Sequence, residues 1–170
     1  MSIASTSKSV IQDTKAHSLS PNPLITIDLD VHSKKRTIEH VASLISTRCD
    51  FCINDILESL ILRERLGSTA IGSGIAIPHG RLAHLDKAIA TLVLLKEPVD
   101  FDAADKMPVR IVFGLIIPED QSEQHLTLLR SIASIAQDPT ALHILNSNKD
   151  AHVIFHWLKN RNPELASLML

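Results

Sequence analysis

The chain has no tyrosine, one tryptophan and four phenylalanines, so aromatic residues fill only 3% of its 170 positions. That scarcity removes the stacking platforms a single-strand nucleic-acid binder needs and leaves the core to Leu, Ile, Val and Ala. Neither sign of charge dominates: 17 Lys and Arg stand against 19 Asp and Glu, for a formal net charge of −2. A basic nucleic-acid surface is thereby disfavoured, and an apolar content of 45% argues against disorder. No apolar run is long enough to span a bilayer. The segment Met1–Pro23, rich in Ser, Thr and Lys, lacks the apolar stretch and cleavage pattern of a secretory signal. A soluble cytoplasmic protein with no membrane insertion and no nucleic-acid partner is expected.

Only two cysteines occur, Cys49 and Cys52. Their C-x-x-C spacing suits redox chemistry or half a zinc site, yet no second pair completes four thiolates and no thioredoxin-like strand precedes them. Two reduced, partly buried thiols near a helix end are expected. His152 and His156 share a helix face without an H-E-x-x-H pattern, so no metal is expected there. Phosphate-loop, dinucleotide and G-x-S-x-G signatures are also missing, which leaves nucleotide binding and serine hydrolysis unsupported.

What is present is the patterning of one α/β domain, long enough to bury a core without disulfides or metal. Residues 1–23 read as a flexible leader. Ile25–Val31 alternates like a half-buried strand. Ser33 caps a helix with Ile38, Val41, Leu44 and Ile45 on one face. A second helix from about Ile53 turns Ile56, Leu57, Leu60 and Ile61 inward and stops near Gly67. Ala88–Leu95 and Val109–Ile117 are short, nearly continuous apolar runs rich in β-branched residues, as in central strands covered on both faces. A turn-rich connection between them has room for a short strand at Val99–Phe101. Ser122 is placed as the cap of a helix whose apolar face is Leu126, Leu129, Ile132, Ala133 and Ala136. Asp138-Pro139 opens another helix, and a last one covers about 151–160. Helices packed on a central sheet are the expected architecture.

The chemistry concentrates in Gly67–Gly80, which reads as a loop of small residues ending in His79 between Pro78 and Gly80. Pro78 fixes its own φ and biases Ile77 to extended geometry, so His79 is read as a displayed imidazole able to act as a nucleophile. In a chain with nine histidines, an ordinary surface or core residue is the competing reading. His125, in the first turn of its helix, is placed where an anion is favoured, or is merely polar and exposed. Arg63 and Arg65 end the second helix on different sides, so at most one faces the site; each is otherwise a solvated cation at a helix C-terminus.

The segment Arg63-Glu64-Arg65-Leu66-Gly67-Ser68-Thr69 through Gly74-Ile75-Ala76-Ile77-Pro78-His79-Gly80-Arg81 resembles the active-site signature of bacterial phosphotransferase-system enzyme IIA domains. The class is the fructose/mannitol and nitrogen-regulatory one. The likeness continues through Pro98–Ala103, Pro108-Val109, Phe113, Pro118 and Gln121–Leu126. It implies a single domain over 24–162 with a central mixed sheet flanked by helices, followed by a C-terminal tail at 163–170. It further implies a phosphohistidine carrier, rather than an enzyme turning over small molecules, with no cofactor. His79 would accept a phosphoryl group from an HPr-like protein, His125 would be the second histidine, and Arg63 rather than Arg65 the phosphate-facing arginine. Ser68 and Thr69 would add hydroxyl donors. The single short domain suits the freestanding nitrogen-regulatory type, acting on regulatory target proteins. A sugar-specific IIA serving a IIB domain, or a non-transferring interaction module, are the alternatives.

Overall fold

In the computed structural model, which describes residues 22–170, the alternating segment forms β1 (Ile25–Leu29). The leader expected over 1–23 lies, but for its last two residues, outside the described residues. Ser33 caps α1 (Lys34–Ser46) by accepting from the Arg36 N–H at 3.2 Å, and Ile38, Val41, Ala42 and Ile45 are buried. Helix α2 (Ile53–Arg65) buries Ile56 and Leu60 and stops at Leu66, just before Gly67. Cys49 and Cys52 do flank the start of α2, but only Cys49 is half-buried; Cys52, at the N-cap, is exposed.

The glycine-rich stretch differs from expectation. It is not an open loop but a hairpin, β2 (Ala70–Gly72) and β3 (Ile75–Ala76), followed by β4 (His79–Leu82). Positive φ values at Gly72, Ser73 and Gly74 (91°, 56° and 76°) reverse the chain tightly, and the Asp105 carboxylate accepts the Ser73 N–H at 3.0 Å. Small residues that looked like loop material are therefore hairpin material.

The two apolar runs become β5 (Ile89–Val99) and β6 (Val109–Pro118). Val99 ends β5 opposite Val109 rather than starting a strand of its own. The sheet order is β1-β5-β6-β3-β2, with β4 also paired to β6. It is mixed: β1 runs parallel to β5, β5 antiparallel to β6, and both β3 and β4 parallel to β6. Alternation divides the sheet between two cores. Ile89 and Val93 of β5 with Val112 and Ile116 of β6 face α1 and α2. Leu92, Leu94, Phe113 and Leu115 face the C-terminal helices. At about 1.5–3 kcal/mol for each large side chain removed from water, these two layers supply the main force holding the helices in place.

Four helices follow: α3 (Ser122–Ala136), α4 (Pro139–Ser147), α5 (Ala151–Arg161) and α6 (Pro163–Ser167). Asp138 caps α4 through the Thr140 N–H, with Pro139 in the first turn as read from the sequence. Two expectations need correction. The N-cap of α3 is Gln121, not Ser122, and the buried face is His125, Leu128, Ile132 and Ile135, with Leu126 left 54% exposed. The helix is rotated by one position because the sheet seats His125 where apolar spacing had placed Leu126. Residues 163–170 are not a loose end. Leu165 and Met169 are fully buried, and the Leu24 N–H donates to the Met169 carbonyl at 2.8 Å, tying this segment to β1. Among the described residues no helix is long and apolar enough to cross a membrane.

Candidate functional site

Strand β4 opens with His79, paired in parallel register with Leu115 of β6, and the Leu115 N–H donates to the Pro78 carbonyl at 3.0 Å. The proline and the parallel pairing fix the backbone on both sides of the ring. His79 is only 8% exposed, and its Nδ1 lies 2.7 Å from the Ile77 carbonyl oxygen. A carbonyl only accepts, so Nδ1 carries the proton and Nε2 keeps the lone pair. Burial pushes the His79 pKa below the usual imidazole value, opposed by the Ile77 bond and assisted by the nearby Arg63 charge. The ring is neutral at pH 7, as a nucleophile must be.

His125 faces it from α3, the ring centroids 5.1 Å apart and the planes at 77°. Its backbone N–H is already bonded to the Gln121 carbonyl at 3.2 Å, so its contribution is the ring rather than an open helix end. The Arg81 guanidinium donates to His125 Nδ1 at 3.2 Å. Because a guanidinium cannot accept, Nδ1 holds the lone pair and the proton sits on Nε2. That Nε2 is buried and has no hydrogen-bond partner among the described residues. Burial, with His79, Arg81 and Arg63 adding, pushes the His125 pKa down to about 4.

The two rings thus hold opposite tautomers: a lone pair at His79 Nε2 and an N–H donor at His125 Nε2. Of the two candidate arginines the structure brings in one. Arg63 lines both clefts that flank His79, of about 310 and 390 Å³, while its Nη1 donates to the Gly67 carbonyl at 2.9 Å. Arg65 lies on another side of α2, beside Lys34 and Lys35.

Ser68 and Thr69 border the smaller cleft with His79, but their hydroxyl protons are engaged elsewhere. Ser68 donates to the Phe101 carbonyl, and Thr69 donates to the Glu64 carboxylate at 2.5 Å. The Thr69 N–H goes to Glu64 as well, at 3.2 Å, and Lys34 pairs with the same carboxylate at 3.3 Å. Their part in the present geometry is to shape the wall.

Three residues escaped the reading of the sequence. Arg81 was legible in principle, since residues two apart on a strand share a face and Arg81 follows His79 by two. Glu64, between two arginines on α2, carried no signal of burial. Ser59 packs against Gly80: a Cβ there would meet Ser59 Oγ at 2.2 Å, so glycine permits the close contact of β4 with α2, the helix that carries Arg63.

Residues 19–161 match the family model for the phosphoenolpyruvate-dependent sugar phosphotransferase system, EIIA 2. A nitrogen regulatory protein of Pseudomonas aeruginosa is 42% identical over 124 residues, covering 72% of this chain and 80% of that one. Another, from Bradyrhizobium diazoefficiens, is 36% identical over 127 residues, 75% of this chain and 83% of its own. The crystal structure of nitrogen regulatory protein IIA-Ntr from Neisseria meningitidis superposes with a TM-score of 0.75 at 36% identity, covering 79% of this chain and 92% of that one. IIA mannitol from Escherichia coli, 18% identical, shares the fold with a TM-score of 0.68 over 79% of this chain and 95% of its own. On the span of the family match and the identity of these relatives, the chain belongs to the EIIA type 2 family of the phosphotransferase system.

Proposed function

We propose that the chain is a phosphocarrier of the nitrogen-related phosphotransferase system. On this reading His79 accepts a phosphoryl group from a phosphohistidine of an HPr-like protein in the cytoplasm, and partner proteins are regulated by which form they meet. The observation that carries the proposal is the pair of opposed tautomers: a neutral nucleophilic nitrogen beside a buried, unpartnered N–H donor.

In the transfer, His79 Nε2 attacks phosphorus in line, the new P–N bond forms, and the bond to the donor's nitrogen breaks, returning its electron pair to that imidazole. No proton has to leave His79, because Nδ1–H stays on the Ile77 carbonyl while the ring takes up positive charge. The three phosphoryl oxygens carry the negative charge, and positioning plus electrostatics do most of the work. His125 Nε2–H and Arg63 supply the donor and the positive field.

The surroundings suit a protein donor and protein targets. Leu62 and Leu66, 53% and 85% exposed, line the larger cleft with His79, and Ile71, 40% exposed, lines the other. A phosphoryl group brings about −1.5 to −2 charge into this apolar rim, enough to make or break an interface. The names of the relatives favour the nitrogen-regulatory role over a sugar-specific one.

The test is incubation with phosphoenolpyruvate, enzyme I and the HPr-like protein, followed by intact mass. Wild type should gain one acid-labile phosphoryl group and folded His79→Ala none. Uptake by His79→Ala would overturn the assignment, and efficient onward transfer to a IIB cysteine would favour the sugar-specific reading.

A further inference from the structure

Arg81 has been given no part in the transfer itself, yet its contacts with three elements fix where it stands. Its N–H donates to Ser59 Oγ at 2.9 Å, and the same hydroxyl donates back to the Arg81 carbonyl at 2.9 Å, clamping this point of β4 to α2. On its other edge Arg81 is in register with Ile117 of β6. Its guanidinium then crosses to α3, 3.2 Å from His125 Nδ1 and 3.5 Å from Ser122 Oγ, the latter at the outer limit of a hydrogen bond.

His125 needs such a contact. Neither of its ring nitrogens has another hydrogen-bond partner among the described residues. An imidazole free to change tautomer would turn a lone pair toward the phosphoryl oxygens for part of the time and repel them. A guanidinium has donors only and stays charged at every working pH, so it permits a single tautomer.

We propose that Arg81 is a positioning residue: by donating to His125 Nδ1 it keeps the proton on His125 Nε2, so that His125 always meets the group on His79 as a hydrogen-bond donor. The inference rests on the phosphocarrier reading for its purpose, but not for its geometry. Arg81 acts through His125 rather than on phosphorus, which separates it from Arg63.

The test uses full-length Arg81→Met, with Arg81→Lys as the variant that keeps a cationic donor. Multiple-bond proton–nitrogen spectra of wild type should show His125 protonated on Nε2 alone. In Arg81→Met the two tautomers should mix, and the His125 titration midpoint, held down in wild type by burial first and then by the charges of His79, Arg81 and Arg63, should rise part of the way from about 4 toward the ordinary value. Phosphoryl uptake from the HPr-like donor should slow by about tenfold or more in Arg81→Met, recover in part in Arg81→Lys, and lose nothing further when His125 is already Ala. An unchanged tautomer and midpoint would overturn the proposal. So would an equal loss in the His125→Ala background, which would make Arg81 a direct phosphate ligand. If wild type takes up no phosphate at all, the phosphocarrier reading fails while the spectra still decide the role of Arg81.

Discussion

His79 and His125 stand edge to face with their ring centroids 5.1 Å apart, and each has its proton placed by a different kind of neighbour. The Ile77 carbonyl holds the proton of one at Nδ1, and the Arg81 guanidinium confines that of the other to Nε2. Two chemically identical side chains thereby present a lone pair at Nε2 in one ring and an N–H donor at Nε2 in the other.

The pair should titrate abnormally. Both folded pKa values are lowered from 6.5, His79 mainly by burial and His125 to about 4. The unfolded chain therefore binds more protons than the folded one over this range. The contribution to stability is whole above 6.5 and is lost as pH falls from there to about 4. Urea denaturation at about pH 7.5 and pH 4.5 should show a fall on the order of 2 kcal/mol that is smaller in His125→Ala. An equal fall in both proteins would contradict the assignment.

Arg63 and Arg65 should separate cleanly. Removing Arg63 as Arg63→Met takes positive charge from the reacting oxygens and should slow phosphoryl uptake by about 10²-fold or more. Arg65→Met, changed on another side of α2, should stay within about twofold of wild type. Rapid-quench transfer assays decide it, and equal losses would undo the placement.

Glu64 should matter for folding. In Glu64→Leu the Thr69 N–H and hydroxyl lose their shared acceptor and Lys34 loses one of two carboxylates. Unsatisfied buried donors of this kind cost about 1–3 kcal/mol each, so a loss of about 2–4 kcal/mol is expected in chemical denaturation. Glu64→Gln, which keeps one acceptor oxygen, should lose less. A loss below about 0.5 kcal/mol in Glu64→Leu would show that the network is not structural.

Gly80 should accept a side chain only at a cost in stability. In Gly80→Ala the added methyl would come 2.2 Å from Ser59 Oγ and 3.0 Å from the Ser59 backbone, so β4 and α2 must part. Overpacking of this kind costs about 1–3 kcal/mol. Because α2 carries Arg63, phosphoryl uptake should also slow at temperatures where the variant remains folded. A destabilised variant with wild-type transfer would show that this contact does not position Arg63.

Much of this was legible in the sequence where the physics is local. The Ser33 and Asp138 caps, the inward faces of α1 and α2, and the β5 and β6 runs all follow from patterns a few residues long. Pro78-His79-Gly80 marked His79 as an imidazole on a restricted backbone because that restriction is written in residue type. What failed depended on contacts across the fold. Leu126 and Leu129 outweigh a histidine in any count of apolar periodicity, so the sequence reading turns α3 by one position, and it offers a polar, exposed His125 beside the anion-facing one. Residues 163–170 read only as a C-terminal tail because the seat of Met169 is made by residues far away in sequence, beside Leu24. Ser68 and Thr69 looked like free donors because nothing in their neighbourhood shows that Glu64 and Phe101 have taken their protons.

The most direct measurement is the position of phosphorus on the phosphorylated protein, read from phosphorus–nitrogen couplings in a histidine-labelled sample. The account predicts one phosphoryl group, on His79 Nε2, with the Nδ1 proton still held by Ile77. Phosphorus on His79 Nδ1, on His125 or on any other side chain would contradict it.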